Sequence, residues 1–202
     1  MDYKDYKTAS ERHLETCIKL KDFVAVTYLN KTLLPHEQKK QNEILANIYY
    51  LSGYVIECIL HYAIVEYVVK VDTDFRKKVA KRNGGNFENV SVRELKVQDN
   101  NCNVGYSYGR YSLYRFGHRF QSNIDFFNYG SKISGIDSIR ALNGKTIPEQ
   151  NVRTLFSKWN VGVRYSNSEF QNLNTPKDIF AFLDFTEEVH KGVTNLILPN
   201  YA

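Results

Sequence analysis

Arg115, His118 and Arg119 sit within five residues of one another, set among aromatic rings. From Tyr106 to Phe120 the chain alternates rings with cations: Tyr106, Tyr108, Arg110, Tyr111, Tyr114, Arg115, Phe116, His118, Arg119 and Phe120. Single-stranded nucleic acid is held by that combination, because rings stack on bases while cations meet phosphates. Upstream, Lys77, Lys78 and Arg82, with Arg76 and Lys81, extend the electrostatic track. The plainer reading puts half of the rings in the core and leaves the cations as a solvated face. On a helix, the two residues between Arg115 and His118 would bring both side chains to one side.

A second pair with chemical potential is Glu57 and His61. They are one helical turn apart and share a face. A carboxylate and an imidazole so placed can move protons. They can equally satisfy each other, or Glu57 can pair with Arg164, since a buried carboxylate needs a partner to stay charged. The structural reading is the stronger of the two. No other catalytic grouping emerges. Asn83-Gly84-Gly85 lacks the rest of a phosphate loop. His and Cys are not clustered at metal-ligand spacing, so neither a metal nor a cofactor is expected. Cys17, Cys58 and Cys102 are few and odd in number. Cys17 and Cys58 fall on apolar helix faces, as reduced core thiols do.

The elements that must position these residues are mostly helical. From Gln41 to Lys70, apolar or semi-apolar residues recur at Ile44, Ile48, Leu51, Val55, Cys58, Tyr62, Val65 and Val69, in steps of four and three. The other faces carry Leu45, Tyr49, Ile56, Ile59, Leu60, Ala63 and Ile64, leaving a narrow polar notch at Tyr50, Glu57 and His61. A helix apolar nearly all round must be surrounded by other helices. It is expected to run from about Glu37 to Val71, with Gly53 in its middle marking a close approach. Before it, Thr8 and Glu11 read as a capping box opening a first helix. That helix carries Leu14, Cys17, Ile18, Lys21, Val24 and Tyr28 on one face and stops before Pro35. Met1 to Asp5 resemble part of an epitope tag and are set aside.

Residues 72–116 differ. They hold Asn83-Gly84-Gly85-Asn86 and Asp99-Asn100-Asn101, which are turn signals. Val90 to Val97 and Tyr106 to Tyr114 read as a small β-hairpin. A helix near Gly117 then carries Phe120, Ile124 and Phe127. A shorter one near Glu149 to Lys158 ends at Trp159. The last is opened by Thr175 as N-cap, with Pro176 and Asp178 following. Its apolar face reads Ile179, Phe182, Leu183, Thr186, Val189, Val193, Leu196 and Ile197.

At 202 residues one domain is the default. The net charge of +5 is modest, yet residues 72–118 hold nine Lys or Arg against five Asp or Glu. Charge concentrated in this way points to a polyanion. The longest apolar run is interrupted by Glu57, His61 and Glu66, which argues against a membrane span. No charged-then-apolar leader is present, so a cytoplasmic location is expected.

One further reading comes from a resemblance. The run Tyr50-Leu51-Ser52-Gly53-Tyr54-Val55-Ile56-Glu57-Cys58-Ile59-Leu60-His61 resembles the second helix of a prokaryotic branch of HEPN domains (higher eukaryote and prokaryote nucleotide-binding). His61 stands where that branch usually has lysine. Gly117-His118 resembles its Gly-His helix start. Trp159 with Val163-Arg164-Tyr165 resembles its Trp-then-Arg-Tyr segment. The three motifs bracket roughly residues 9–197 in the expected order. The resemblance implies an all-α, up-and-down bundle of about five helices, a single domain over 1–202, with 72–116 as a basic, Tyr-rich insertion after the second helix. It also implies a homodimer in a prokaryotic defence or toxin–antitoxin system, often beside a nucleotidyltransferase partner. Within it, Glu57, His61, Arg164 and Tyr165 are the candidate buried polar residues.

Nuclease members of the family resemble one another in an Arg followed four to six residues later by His. None of His13, His36, His61, His118 and His190 follows an arginine at that spacing. The expected function is therefore a non-catalytic module that binds RNA or a nucleotide. The expected contacts are Lys77, Lys78, Arg82, Tyr108, Arg110, Tyr111, Tyr114, Arg115, His118 and Arg119. One alternative is a metal-independent ribonuclease with His118 as acid or base and Arg115 as phosphate stabiliser. Another is a protein-interaction scaffold, since Tyr and Arg are also enriched at protein interfaces.

Overall fold

The computed structural model describes residues 3–69, 120, 123, 147, 149–160 and 175–195. The described residues are all-α, with four helices and no strand among them. Helix α1 spans Tyr3–Tyr28, α2 Pro35–Ala63, α3 Gln150–Lys158 and α4 Pro176–Asn195. Phe120 and Asn123 are also helical and buried. The hairpin expected within 90–114 and the remainder of 70–119 lie outside the described residues.

Helix α2 is the centre of the fold. α1 runs along it, α4 packs on it from another side, and α3 sits on α4. Every residue from Val55 to Ile64 is buried. The all-round apolar pattern thus produces a surrounded rod. By length and composition α2 could cross a bilayer, but 67% of its most apolar window is buried inside the fold. Pro35 at the first turn has no N–H to leave unsatisfied. Glu37 reaches back to accept from the Leu34 N–H at 3.0 Å. That start lies two residues before the one read from the sequence. The far end differs more: the α-helical ladder stops at Ala63, and Ile64–Val69 continues as a wider π-helical turn.

Three expectations about α1 need correction. Thr8 and Glu11 do not cap it, because the helix already begins at Tyr3. The cause is packing upstream of Thr8: Tyr6 lies edge-on to His61 of α2, with ring centres 5.2 Å apart. Residues Tyr3 to Asp5, set aside as tag-like, therefore belong to the first helix. Ile18, assigned to the buried face, is exposed. Lys21, also assigned there, sits at the edge of the interface and pairs with Asp184 of α4 at 2.5 Å. Its ammonium lies over the Phe180 ring.

The last two helices follow the sequence closely. α3 ends with the Trp159 N–H bonded to the Leu155 carbonyl. At the start of α4, Thr175 Oγ1 accepts from the Asp178 N–H at 3.3 Å, and Asp178 Oδ2 accepts from the Thr175 N–H at 3.0 Å. This reciprocal cap satisfies two backbone donors that a helix start leaves over. Asn151 donates to the other Asp178 oxygen at 2.7 Å, which ties α3 to α4. The buried face of α4 contains the predicted Ile179, Phe182, Leu183, Thr186, Val189 and Val193, and also His190.

Candidate functional site

The polar and aromatic groups of α2 meet neighbours on two sides. On the α1 side the helices run antiparallel, so Tyr6 lies against His61, His13 against Tyr54 and Cys17 against Ser52. The polar notch read from the sequence is consequently an interior seam. Glu57 and His61 are only 5% and 6% exposed. Arg164 and Tyr165, the expected companions of Glu57, lie outside the described residues.

Between α1 and α4, Ser10 and His190 approach to 3.2 Å, Oγ to Nε2. Ser10 Oγ also lies 2.7 Å from the Lys7 carbonyl, to which its hydroxyl donates. The Ser10–His190 contact ties α1 to α4. Burial holds the His190 pKa below the usual value, with the nearby Lys7 acting in the same direction and Glu11 and Glu187 opposing. His13 is likewise lowered by burial, then by Arg12.

The thiols are quiet. Burial raises Cys17 to about 11 and Cys58 to about 12. Ser52 donates to Cys17 Sγ at 3.7 Å, and the thiol reaches the Ile48 carbonyl at 3.8 Å. A nucleophilic cysteine needs the opposite shift. Among the described residues no group of His, Cys, Asp and Glu could hold a metal ion.

From Tyr54, which also meets His13 of α1, the rings form a continuous stack toward α3. Tyr54 and Tyr50 are near-parallel at 6.2 Å, Tyr50 and Trp159 at 6.3 Å, and Trp159 and Phe120 at 4.5 Å. The indole reaches α2 only because residue 53 is glycine: a Cβ there would overlap Trp159 Nε1. That N–H donates to the Tyr50 carbonyl at 3.2 Å. One turn earlier, Tyr49 Oη donates to the Leu155 carbonyl at 2.7 Å. Burial pushes the Tyr49 phenol well above its usual pKa, so it stays a donor.

Lys77, Lys78, Arg82, Tyr108, Arg110, Tyr111, Tyr114, Arg115, His118 and Arg119 all lie outside the described residues. Arg119, His118 and Arg115 precede the buried Phe120 by one, two and five residues in the sequence. Sequence reasoning missed the Ser10–His190 tether and the partners of Tyr6 and His13. His190 was open to detection, since it continues the 179, 182, 183, 186 spacing of the last helix. Ser10 carried no such signal. Compared with known proteins, the chain matches no family model, no curated protein and no solved structure.

Proposed function

We propose that this chain is a HEPN-like module that binds RNA or a nucleotide without cleaving it, through the basic, Tyr-rich insertion 72–116, with Arg115, His118 and Arg119 nearest the site. The observation that supports the reading is a convergence. Trp159 of the third resembling segment packs on Gly53 and Tyr50 of the first, and on Phe120, which follows the second by two residues in the sequence. Residues that support one another in a fold have a reason to occur together in a sequence. Arg115, His118 and Arg119 come just before Phe120 in the sequence, and cations there would meet phosphates. A homodimer, a cytoplasmic location, no contact with a membrane and a nucleotidyltransferase partner complete the reading.

The test is a denaturing gel of end-labelled single-stranded RNA incubated with the protein in chelator, beside a binding assay on the same RNA. Binding with intact RNA is the expected result. Cleavage by the wild type that disappears in His118→Ala would replace this reading with a metal-independent ribonuclease. No binding at all would favour a protein-interaction scaffold.

A further inference from the structure

Helix α1 is held in two different ways along its length. From Leu14 onward it is anchored by apolar burial: Leu14, Cys17, Val24 and Tyr28 belong to the core, and Lys21 pairs with Asp184 of α4. Before Leu14 the contacts change in kind. Between Lys4 and His13 only Ser10 is buried. Tyr6, Ser10 and His13, spaced by four and three, share one face. Tyr6 lies edge-on to His61 of α2, Ser10 lies 3.2 Å from His190 of α4, and His13 lies edge-on to Tyr54 of α2. A histidine stands in each of these three contacts.

We propose that residues 3–13 are an acid-released latch: as pH falls below the usual histidine range, this end of α1 lifts from α2 and α4 while the part from Leu14 onward stays docked. The latch does not depend on what the insertion 72–116 binds. Its cause is the charging of covered imidazoles. His190 is buried, and Lys7 of α1 disfavours its cation, while Glu11 of α1 and Glu187 of α4 favour it. Those two carboxylates are already engaged, Glu11 with Lys7 and Glu187 with Lys191. His13 is flanked by Arg12 on its own helix and faces Tyr54 of α2. Burial holds both imidazoles below their ordinary pKa. Lifting the latch returns His13 to water and uncovers His190, so the open state binds protons more readily. The closed state's advantage is whole above about pH 6.5 and is lost as pH falls through the closed-state values. Over that window each histidine raises the opening constant by up to about tenfold per pH unit. Opening also carries Tyr6 off His61, which removes α1 from the seam that holds Glu57 and His61.

The experiment is amide hydrogen exchange on the full chain one pH unit above and one below about pH 6.5, with rates corrected for the intrinsic pH dependence of exchange. It compares wild type with His13→Gln/His190→Gln, and circular dichroism checks that the double variant folds. His13→Gln alone, at a half-buried position, is the second variant. In the wild type, protection of the amides of residues 7–13 is expected to fall about tenfold at the lower pH, while that of residues 18–28 holds. The double variant should show the same protection at both pH values, and the single variant a smaller loss than wild type. Wild-type protection that ignores pH overturns the latch. So does a loss shared equally by residues 18–28, which is global unfolding. A loss as large in both variants as in wild type overturns the histidines as its trigger.

Discussion

The indole of Trp159 occupies the space a side chain at Gly53 would fill, and its N–H bonds to the Tyr50 carbonyl at 3.2 Å. A mid-helix glycine costs about 1 kcal/mol against alanine in helix propensity. Here the cost secures contact between the central helix and the end of α3. Trp159 is the chain's only tryptophan, so its fluorescence reports on this contact directly.

Gly53→Ala is expected to destabilise the fold despite its better helix propensity. The methyl group must displace the indole or strain the backbone, and overpacking of this kind costs about 2 kcal/mol. Denaturant unfolding followed by Trp159 emission should show a lower midpoint and a red-shifted native spectrum. An unchanged midpoint and spectrum would mean the indole does not lie on residue 53.

Tyr49→Phe should cost about 1–2 kcal/mol, because it leaves the buried Leu155 carbonyl without the phenol donor. The Leu155 carbonyl still accepts from the Trp159 N–H, which keeps the loss moderate. Equilibrium urea unfolding of the two proteins measures it. A phenylalanine variant as stable as wild type would show that the bond adds nothing net.

Most of the helical skeleton was legible in the residues. Steps of three and four located α2, and Thr175-Pro176-x-Asp178 marked the start of α4. Both signals are local: a stripe reports burial, and a cap is made within four residues. The start of α1 was not legible, because Tyr6 and Ser10 are held by His61 and His190, 55 and 180 residues away. The site was less legible for the same reason. Glu57 and His61 read as a narrow polar notch of buried candidates, but the neighbour that covers them, the antiparallel α1, could not be named. The reason for Gly53 could be guessed as a close approach, but its partner, an indole at the end of α3, could not.

Thr175→Ala should lower stability by about 1 kcal/mol, the usual cost of losing an N-cap. It should also raise the pKa of Asp178. Burial pushes that carboxyl up, but hydrogen bonds from Thr175 and Asn151 outweigh it and hold it below its usual value. Thermal unfolding measures the first effect, and carboxyl titration by NMR the second. A variant with unchanged stability and an unshifted Asp178 would contradict the cap.

Stability should fall as pH drops below the usual histidine range. The neutral form of His190 is favoured in the fold by burial, with Lys7 from α1 adding to the shift and Glu11 from α1 and Glu187 from α4 opposing it. Its pKa is therefore lower folded than unfolded. Between the two values the unfolded chain holds more protons, so stability is lost as pH falls from about 6.5 toward the folded pKa. His190→Gln keeps a donor for Ser10 but cannot titrate. The slope of stability against pH over that window should be shallower in the variant. Equal slopes would assign the acid loss to other groups, His13 first among them.

The central claim is that the basic insertion 72–116, with Arg115, His118 and Arg119 nearest the site, binds nucleic acid. It is tested most directly by anisotropy of a labelled single-stranded RNA over a potassium chloride series, with wild type beside Arg115→Glu/Arg119→Glu. The account predicts wild-type binding whose logarithm falls linearly with log salt, and a weaker affinity with a shallower slope in the variant. Binding that ignores salt, or a variant indistinguishable from wild type, would contradict it.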